Sequence, residues 1–171
     1  AAAGLEELIK LKQLKVLRLD NVDELEPLRN LTDLSALSGL TQLEKLSLRD
    51  NDISDLSPLS GLRQLKFLDL EANLISDLSP LSGLKQLESL KVSPRRRDHR
   101  VRDVSPLSDL KQLMMLDLES HLISDLTPLF GLKKLKVLDL RQYYGRTLTK
   151  TQIDELQKAL PNCKIKHTAT P

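Results

Sequence analysis

Ile53-Ser-Asp-Leu-Ser-Pro-Leu-Ser-Gly-Leu62 returns almost unchanged as Ile75-Ser-Asp-Leu-Ser-Pro-Leu-Ser-Gly-Leu84. It returns again as Val101-Arg-Asp-Val-Ser-Pro-Leu-Ser-Asp-Leu110 and as Ile123-Ser-Asp-Leu-Thr-Pro-Leu-Phe-Gly-Leu132. Each copy is followed by a second phrase of the kind Arg63-Gln-Leu-Lys-Phe-Leu-Asp-Leu70. A fixed period of this size governs the fold, because each copy is one supersecondary unit that buries its apolar face only against the next. Aligning Leu11, Leu40, Leu62, Leu84, Leu110 and Leu132 gives steps of 29, 22, 22, 26 and 22 residues. The base period is 22, with seven extra residues in the first step and four in the fourth.

Within a repeat the pattern changes. Leu68 and Leu70 alternate with Phe67, Asp69 and Glu71, the two-residue period of a short strand. Strands are expected near residues 16–20, 45–49, 67–71, 89–93, 115–119 and 137–141. Copies stacked in one direction make them parallel. The Ser57-Pro58 step reads as a helical N-cap followed by proline at the first helical position, where the missing N–H is harmless. Gly61 would then end the turn in a left-handed conformation, and Asp109 in its place is one of the few residues that tolerate it. A back turn opposite a strand makes the two sides unequal, so the stack should curve with the sheet inside.

This pattern resembles the leucine-rich repeat family, and the 22-residue period with its ISDLSPLSGL phrase is similar to the bacterial, internalin-like class. The resemblance covers roughly residues 5–142. It implies an α/β fold: a right-handed solenoid with a parallel sheet on the concave face, short helical turns on the convex face and a C-terminal helix cap. It also implies an asparagine after each strand that bonds to the turn backbone. Asn51 and Asn73 match that position, but Arg95, His121 and Tyr143 follow them, so the ladder is expected to lapse in the C-terminal half. A bacterial source, and a part in host or partner recognition, are implied in the same way.

Residues 1–171 read as a single domain: a partial repeat end at 5–14, repeats at 11–39, 40–61, 62–83, 84–109 and 110–131, and a last repeat with its cap at 132–171. No amphipathic capping helix precedes residue 5, and solenoids need polar caps. The N-terminal end is therefore expected to pack on a preceding segment or to be shielded by something else. Ala1-Ala-Ala-Gly4 reads as an engineered joint or the cut edge of a larger chain, having neither the basic start nor the apolar stretch of a signal peptide. At the other end Thr149-Lys-Thr-Gln152 offers a capping box. Ile153, Leu156, Ala159 and Leu160 follow at helical spacing, and Cys163, Ile165 and His167 alternate with lysines as a final strand would. LQKALPNCKI resembles the C-terminal cap common in bacterial leucine-rich repeat proteins, with Cys163 a small buried apolar residue.

Composition narrows the function. There is no tryptophan, and two phenylalanines and two tyrosines cannot make a core, so leucine must. The formal charge of +2 points to neither nucleic acid nor an anionic membrane. One cysteine excludes an intrachain disulfide framework and a CxxC zinc site, and no apolar run reaches the ~18 residues of a membrane span. The compartment stays open between the bacterial cytoplasm and secretion toward a host.

Three groups of residues are candidates for recognition. The segment 95–102 carries Arg95, Arg96, Arg97, Arg100 and Arg102 and holds the four-residue insertion. Inserted loops on a rigid scaffold usually carry function, and arginine suits carboxylate or phosphate groups; a solvated charged loop is the plainer alternative. Nucleic acid is disfavoured, since no aromatic residue is interleaved for base stacking and the neighbouring face is rich in carboxylates. Tyr143, Tyr144 and Arg146 leave the same rim two repeats on, with His121 between, and tyrosine and arginine are enriched at binding hot spots. The third group is the outward face of the strands, where Arg49, Phe67, Glu71, Met115, Asp117, Glu119 and Arg141 vary from copy to copy while the inward leucines do not. Asp117 and Glu119 share that face but lack the pocket that acid–base catalysis needs. No phosphate-cradling glycine loop, HExxH motif or nucleophile elbow occurs. The expectation is a non-catalytic, monomeric protein-binding module with no cofactor or metal, whose partner carries an acidic patch. Two alternatives stand beside it: an engineered or consensus-like repeat scaffold, and the recognition segment of a larger bacterial effector or enzyme.

Overall fold

The structure, a computed structural model, describes residues 5–21 and 31–169. The long first repeat includes residues 22–30, and these, like Ala1–Gly4, lie outside the described residues. Seven parallel strands form one sheet in chain order: β1 (Val16–Arg18), β2 (Lys45–Ser47), β3 (Phe67–Asp69), β4 (Ser89–Lys91), β5 (Met115–Asp117), β6 (Val137–Leu140) and β7 (Lys164–His167). Parallel neighbours joined by crossovers give the right-handed coil of the solenoid. The register runs without a slip, Leu17, Leu46, Leu68, Leu90, Leu116, Leu138 and Ile165 standing side by side. The four-residue insertion leaves Lys91 opposite Asp117 as if it were absent.

Each copy contributes the same apolar set to a single core. Around β3 these are Leu56, Leu59, Leu62, Leu65, Leu68 and Leu70, all buried. Repetition gives each leucine the same neighbours in every copy, so a core of one residue type is still well specified. At the far end α2 (Lys150–Ala159) closes the stack. Its capping box is formed: the Gln152 N–H donates to Thr149 Oγ1, and the Thr149 N–H donates to Gln152 Oε1. Ile153, Leu156, Leu160 and Cys163 are buried beneath it. Burial also raises the Cys163 thiol pKa, which keeps it protonated and inert. At the near end the single turn α1 (Leu5–Leu8) stacks on the back turn Ser35–Leu37.

The back turns correct two expectations. Each is a 3₁₀ turn such as Ser57–Leu59, whose N-cap is Leu56 and not Ser57. The capping side chain is an aspartate: Asp55 Oδ1 accepts the Ser57 N–H at 2.8 Å and the Ser57 hydroxyl at 2.5 Å. Asp33, Asp77, Asp103 and Asp125 do the same for the Ser or Thr two residues on, the Asx-turn that a short acidic side chain makes readily. Gly61 does not adopt a positive φ, and a Cβ there meets nothing within 4 Å. Asp109 is therefore accommodated without strain of the kind foreseen. The left-handed non-glycine residues lie on the opposite corner, at Asp50, Ala72 and Ser120, each one residue before a ladder position.

The ladder itself is the third correction. Asn51 Oδ1 accepts the Leu31 N–H at 2.9 Å, and Asn73 Oδ1 accepts the Ile53 N–H at 3.0 Å. Their amide nitrogens donate to carbonyls of the preceding repeat, Leu19 and Leu48. The series does not end there. His121 Nδ1 accepts the Val101 N–H at 3.0 Å, and Nε2 lies 2.9 Å from the Val92 carbonyl oxygen. Gln142, and not Tyr143, makes the last rung: its Nε2 donates to the His121 and Ile123 carbonyls, and its Oε1 accepts the Thr147 N–H. Among the described residues Arg95 alone breaks the run. Its guanidinium instead reaches back to Asp52 and the Asn51 carbonyl oxygen.

Candidate recognition surface

With the leucines turned inward, strand register sorts the outward side chains into rows across the concave face. The first row contains Val16, Lys45, Phe67, Ser89, Met115 and Val137. Phe67 and Met115 are the exposed apolar centre of this row. Lys45 Nζ lies 5.0 Å from the Phe67 ring centroid, and the Ser89 hydroxyl contacts Met115 Sδ at 3.6 Å. Around Phe67 the face forms an open hollow of about 250 Å³ flanked by Arg18, Lys45, Lys91 and Asp69. All three cations stand at outward strand positions given by the alternation, Lys45 in register with Phe67 and Arg18 and Lys91 in register with Asp69.

The next rows are charged and largely paired across repeats. Arg49 bridges to Glu71 at 3.1 Å and to Asp50 at 3.2 Å. Burial, then the nearby Asp69, raises the Glu71 carboxyl pKa against the pull of Arg49 and Lys91. Farther along, Asp117, Glu119 and Asp139 bring one oxygen each within 4.8 Å of one another. Arg141 binds both Asp139 and Glu119, at 2.6 and 2.9 Å, and Lys166 of β7 adds a contact to Asp139 at 3.6 Å. Asp139, in register with Asp117 on the outward side of its strand, is only 3 % exposed because these two cations cover it. Burial would raise its pKa, but Arg141 and Lys166 outweigh that and hold it below the ordinary value. Asp117 moves the other way: its burial, together with repulsion from Asp139, exceeds the stabilising Glu119 N–H.

The rim is built by the two loops that leave the sheet after β4 and β6. The Arg97 guanidinium lies 3.7 Å from the Tyr144 ring centroid, and Arg100 Nη1 donates to the Tyr144 carbonyl oxygen at 3.0 Å. The loops are thus joined, as their shared rim required. Arg96, Arg102 and Arg146 are exposed. Tyr143 faces Arg141, 5.9 Å from its ring centroid, and both tyrosines are exposed. Two residues expected on this surface are not on it. His121 is 0 % exposed, with both ring nitrogens engaged by backbone groups as a ladder residue. Arg100 is buried under the second loop. His121 sits where the ladder spacing places it, whereas the burial of Arg100 depends on the approach of the second loop, which the spacing does not show.

These features define a class: a leucine-rich repeat solenoid with a 22-residue base period, with side chains of its sheet face and one rim left outside the core. Comparisons with known proteins agree. The family model for Leucine Rich repeats (2 copies) matches residues 41–83. Among solved structures the chain is similar to internalin C2 of Listeria monocytogenes, with 28 % identity and a TM-score of 0.69 over 96 % of this chain and 74 % of that one. It is similar to an internalin (inlF) of the same species at 26 % identity, TM-score 0.65, covering 97 % of this chain and 59 % of that chain. A leucine-rich repeat protein of Leptospira interrogans gives 26 % identity and a TM-score of 0.77, over 94 % of this chain but 38 % of its own. No curated protein sequence matches. Among the described residues no helix is long and apolar enough to cross a membrane.

Proposed function

We propose that the chain is a non-catalytic protein-recognition module. Its partner lies along the concave sheet face, with Phe67 and Met115 as apolar anchors, and is held at one edge by the joined arginine and tyrosine loops. The observation that carries this reading is the division of labour within each strand: inward leucines make the core, while the alternate side chains are free of it. A surface held by seven hydrogen-bonded strands loses little ordering entropy on binding. The mixed character of the face, apolar at its centre and charged at its margins, matches the anatomy of protein interfaces. The bacterial proteins of similar fold set the class of function expected, and the contacts are read from this chain's own residues.

Capture of a partner by immobilised protein tests it. The double substitution Phe67→Asp and Met115→Asp should weaken capture roughly tenfold or more, as loss of central anchors does. Replacing Arg95, Arg96 and Arg97 together by alanine should also weaken it while moving Tm by no more than about 2 °C, because the ion pairs lost are at the surface. The control, Lys85→Glu beside a back turn, should bind as the wild type does. Equal capture by the double variant, or equal loss in the control, refutes the proposed surface.

A further inference from the structure

Arg100 is only 9 % exposed, yet among the described residues no carboxylate pairs with it. Its Nη1 meets a neutral acceptor, the Tyr144 carbonyl oxygen, and its Nε is buried with no hydrogen-bond partner. His121, close enough to be repelled by it, adds no counter-charge. A buried cation without an opposite charge is unfavourable unless something supplies one. The surroundings are shaped around it. Gly145, at φ +67°, passes over the guanidinium, and a Cβ there would stand 3.0 Å from Leu122 Cδ2 and 3.8 Å from Arg100 Nη1. Tyr144 stacks on Arg97. Such stacking fixes the plane of a guanidinium and leaves its N–H edge for an in-plane acceptor. Arg96, Arg102 and Arg146 stand exposed in the same two segments.

We propose that the loops 95–102 and 142–146 form a receptor for one anionic side-chain group of the protein partner, a carboxylate or a phosphoryl group. Arg97, oriented by Tyr144, makes the bidentate contact. Arg100 lies beneath as a fixed positive charge whose missing counter-ion the bound group provides. This rests on the protein-binding reading only for where the anion comes from; the receptor itself is a property of the free chain.

The test is a titration with inorganic phosphate at constant ionic strength, followed by the arginine Nε–H resonances in nitrogen-15 spectra. Resonances of Arg97 and Arg100 should shift and saturate together while those of Arg49 and Arg63 stay in place. Tyr144→Leu and Arg97→Ala should each weaken the apparent affinity at least fivefold, and Tyr144→Phe should retain it. Arg100→Met should abolish binding without lowering Tm, since it removes an uncompensated charge at similar volume; a merely structural arginine would show the reverse. Capped Gly-Glu-Gly and Gly-phosphoserine-Gly peptides, against Gly-Ser-Gly, then decide between the two sources. Shifts spread evenly over all arginines, or binding undiminished in both Arg97→Ala and Tyr144→Leu, overturn the proposal whether or not Arg100→Met folds. Failure here with the sheet-face capture intact removes the receptor alone, and the opposite pattern removes the protein-binding reading alone.

Discussion

Replacing Leu68 by alanine should destabilise the protein by roughly 2–5 kcal/mol, the range for truncating a buried leucine. Leu68 is buried at the centre of the sheet, in register with Leu46 on one side and Leu90 on the other. Its partners in register belong to the repeats before and after its own. The neighbours are held by the same strand register, so the cavity cannot collapse by a local shift. At about 2–4 °C of Tm per kcal/mol for a chain of this size, the loss should be plain in thermal unfolding. Phe67→Ala, one residue away but facing solvent, should move Tm far less. If the two variants lost similar stability, the assignment of inward and outward faces would be wrong.

Acid should weaken the fold through His121. Burial, and the repulsion of nearby Arg100, overcome the hydrogen bond to Val92 and lower the His121 pKa from 6.5 to about 4. The geometry gives a further reason. Nδ1 accepts the Val101 N–H, so a proton added there would set donor against donor. Because the folded pKa lies below the unfolded one, the unfolded chain binds the proton first. The contribution of neutral His121 is complete above pH 6.5 and is lost as pH falls toward 4. Linkage puts the loss at about 2 kcal/mol by pH 5 and about 3 kcal/mol by pH 4. His121→Asn should flatten this part of the profile, since Asn73 makes the same two bonds one rung away from the insertion. Denaturant unfolding of both proteins between pH 4.5 and 7.5 checks it. Parallel profiles would mean that the acid response arises elsewhere.

The parts of the fold that follow from a repeated physical demand were legible in the sequence. Alternation at Phe67–Leu70 marked a strand, its recurrence marked parallel stacking, and Thr149-x-x-Gln152 marked a helix start. The ladder was half legible, because it was sought as asparagine. What the position requires is one acceptor and one donor a short reach from the backbone, and an imidazole or a glutamine amide meets that as well. The Asp-x-Ser/Thr signal was present in all five back turns and was overlooked in favour of the serine beside it. The rim was harder. Five arginines in eight residues read as one recognition loop with all five on its surface, and only the tertiary approach of the Tyr144–Gly145 segment separates buried Arg100 from exposed Arg96. Likewise Asp139 is covered by Lys166, which arrives from a strand 27 residues later.

The passage of register from Lys91 to Asp117, across four extra residues, has a bearing on how such proteins diversify. Lengthening a closed loop by a few residues costs only a fraction of a kcal/mol in chain entropy, roughly what one surface substitution changes. The corner after each strand can therefore acquire or shed length under selection for a new target without any leucine having to be refitted. Affinity and foldability become nearly independent traits in this architecture, adjustable one at a time along the same polypeptide.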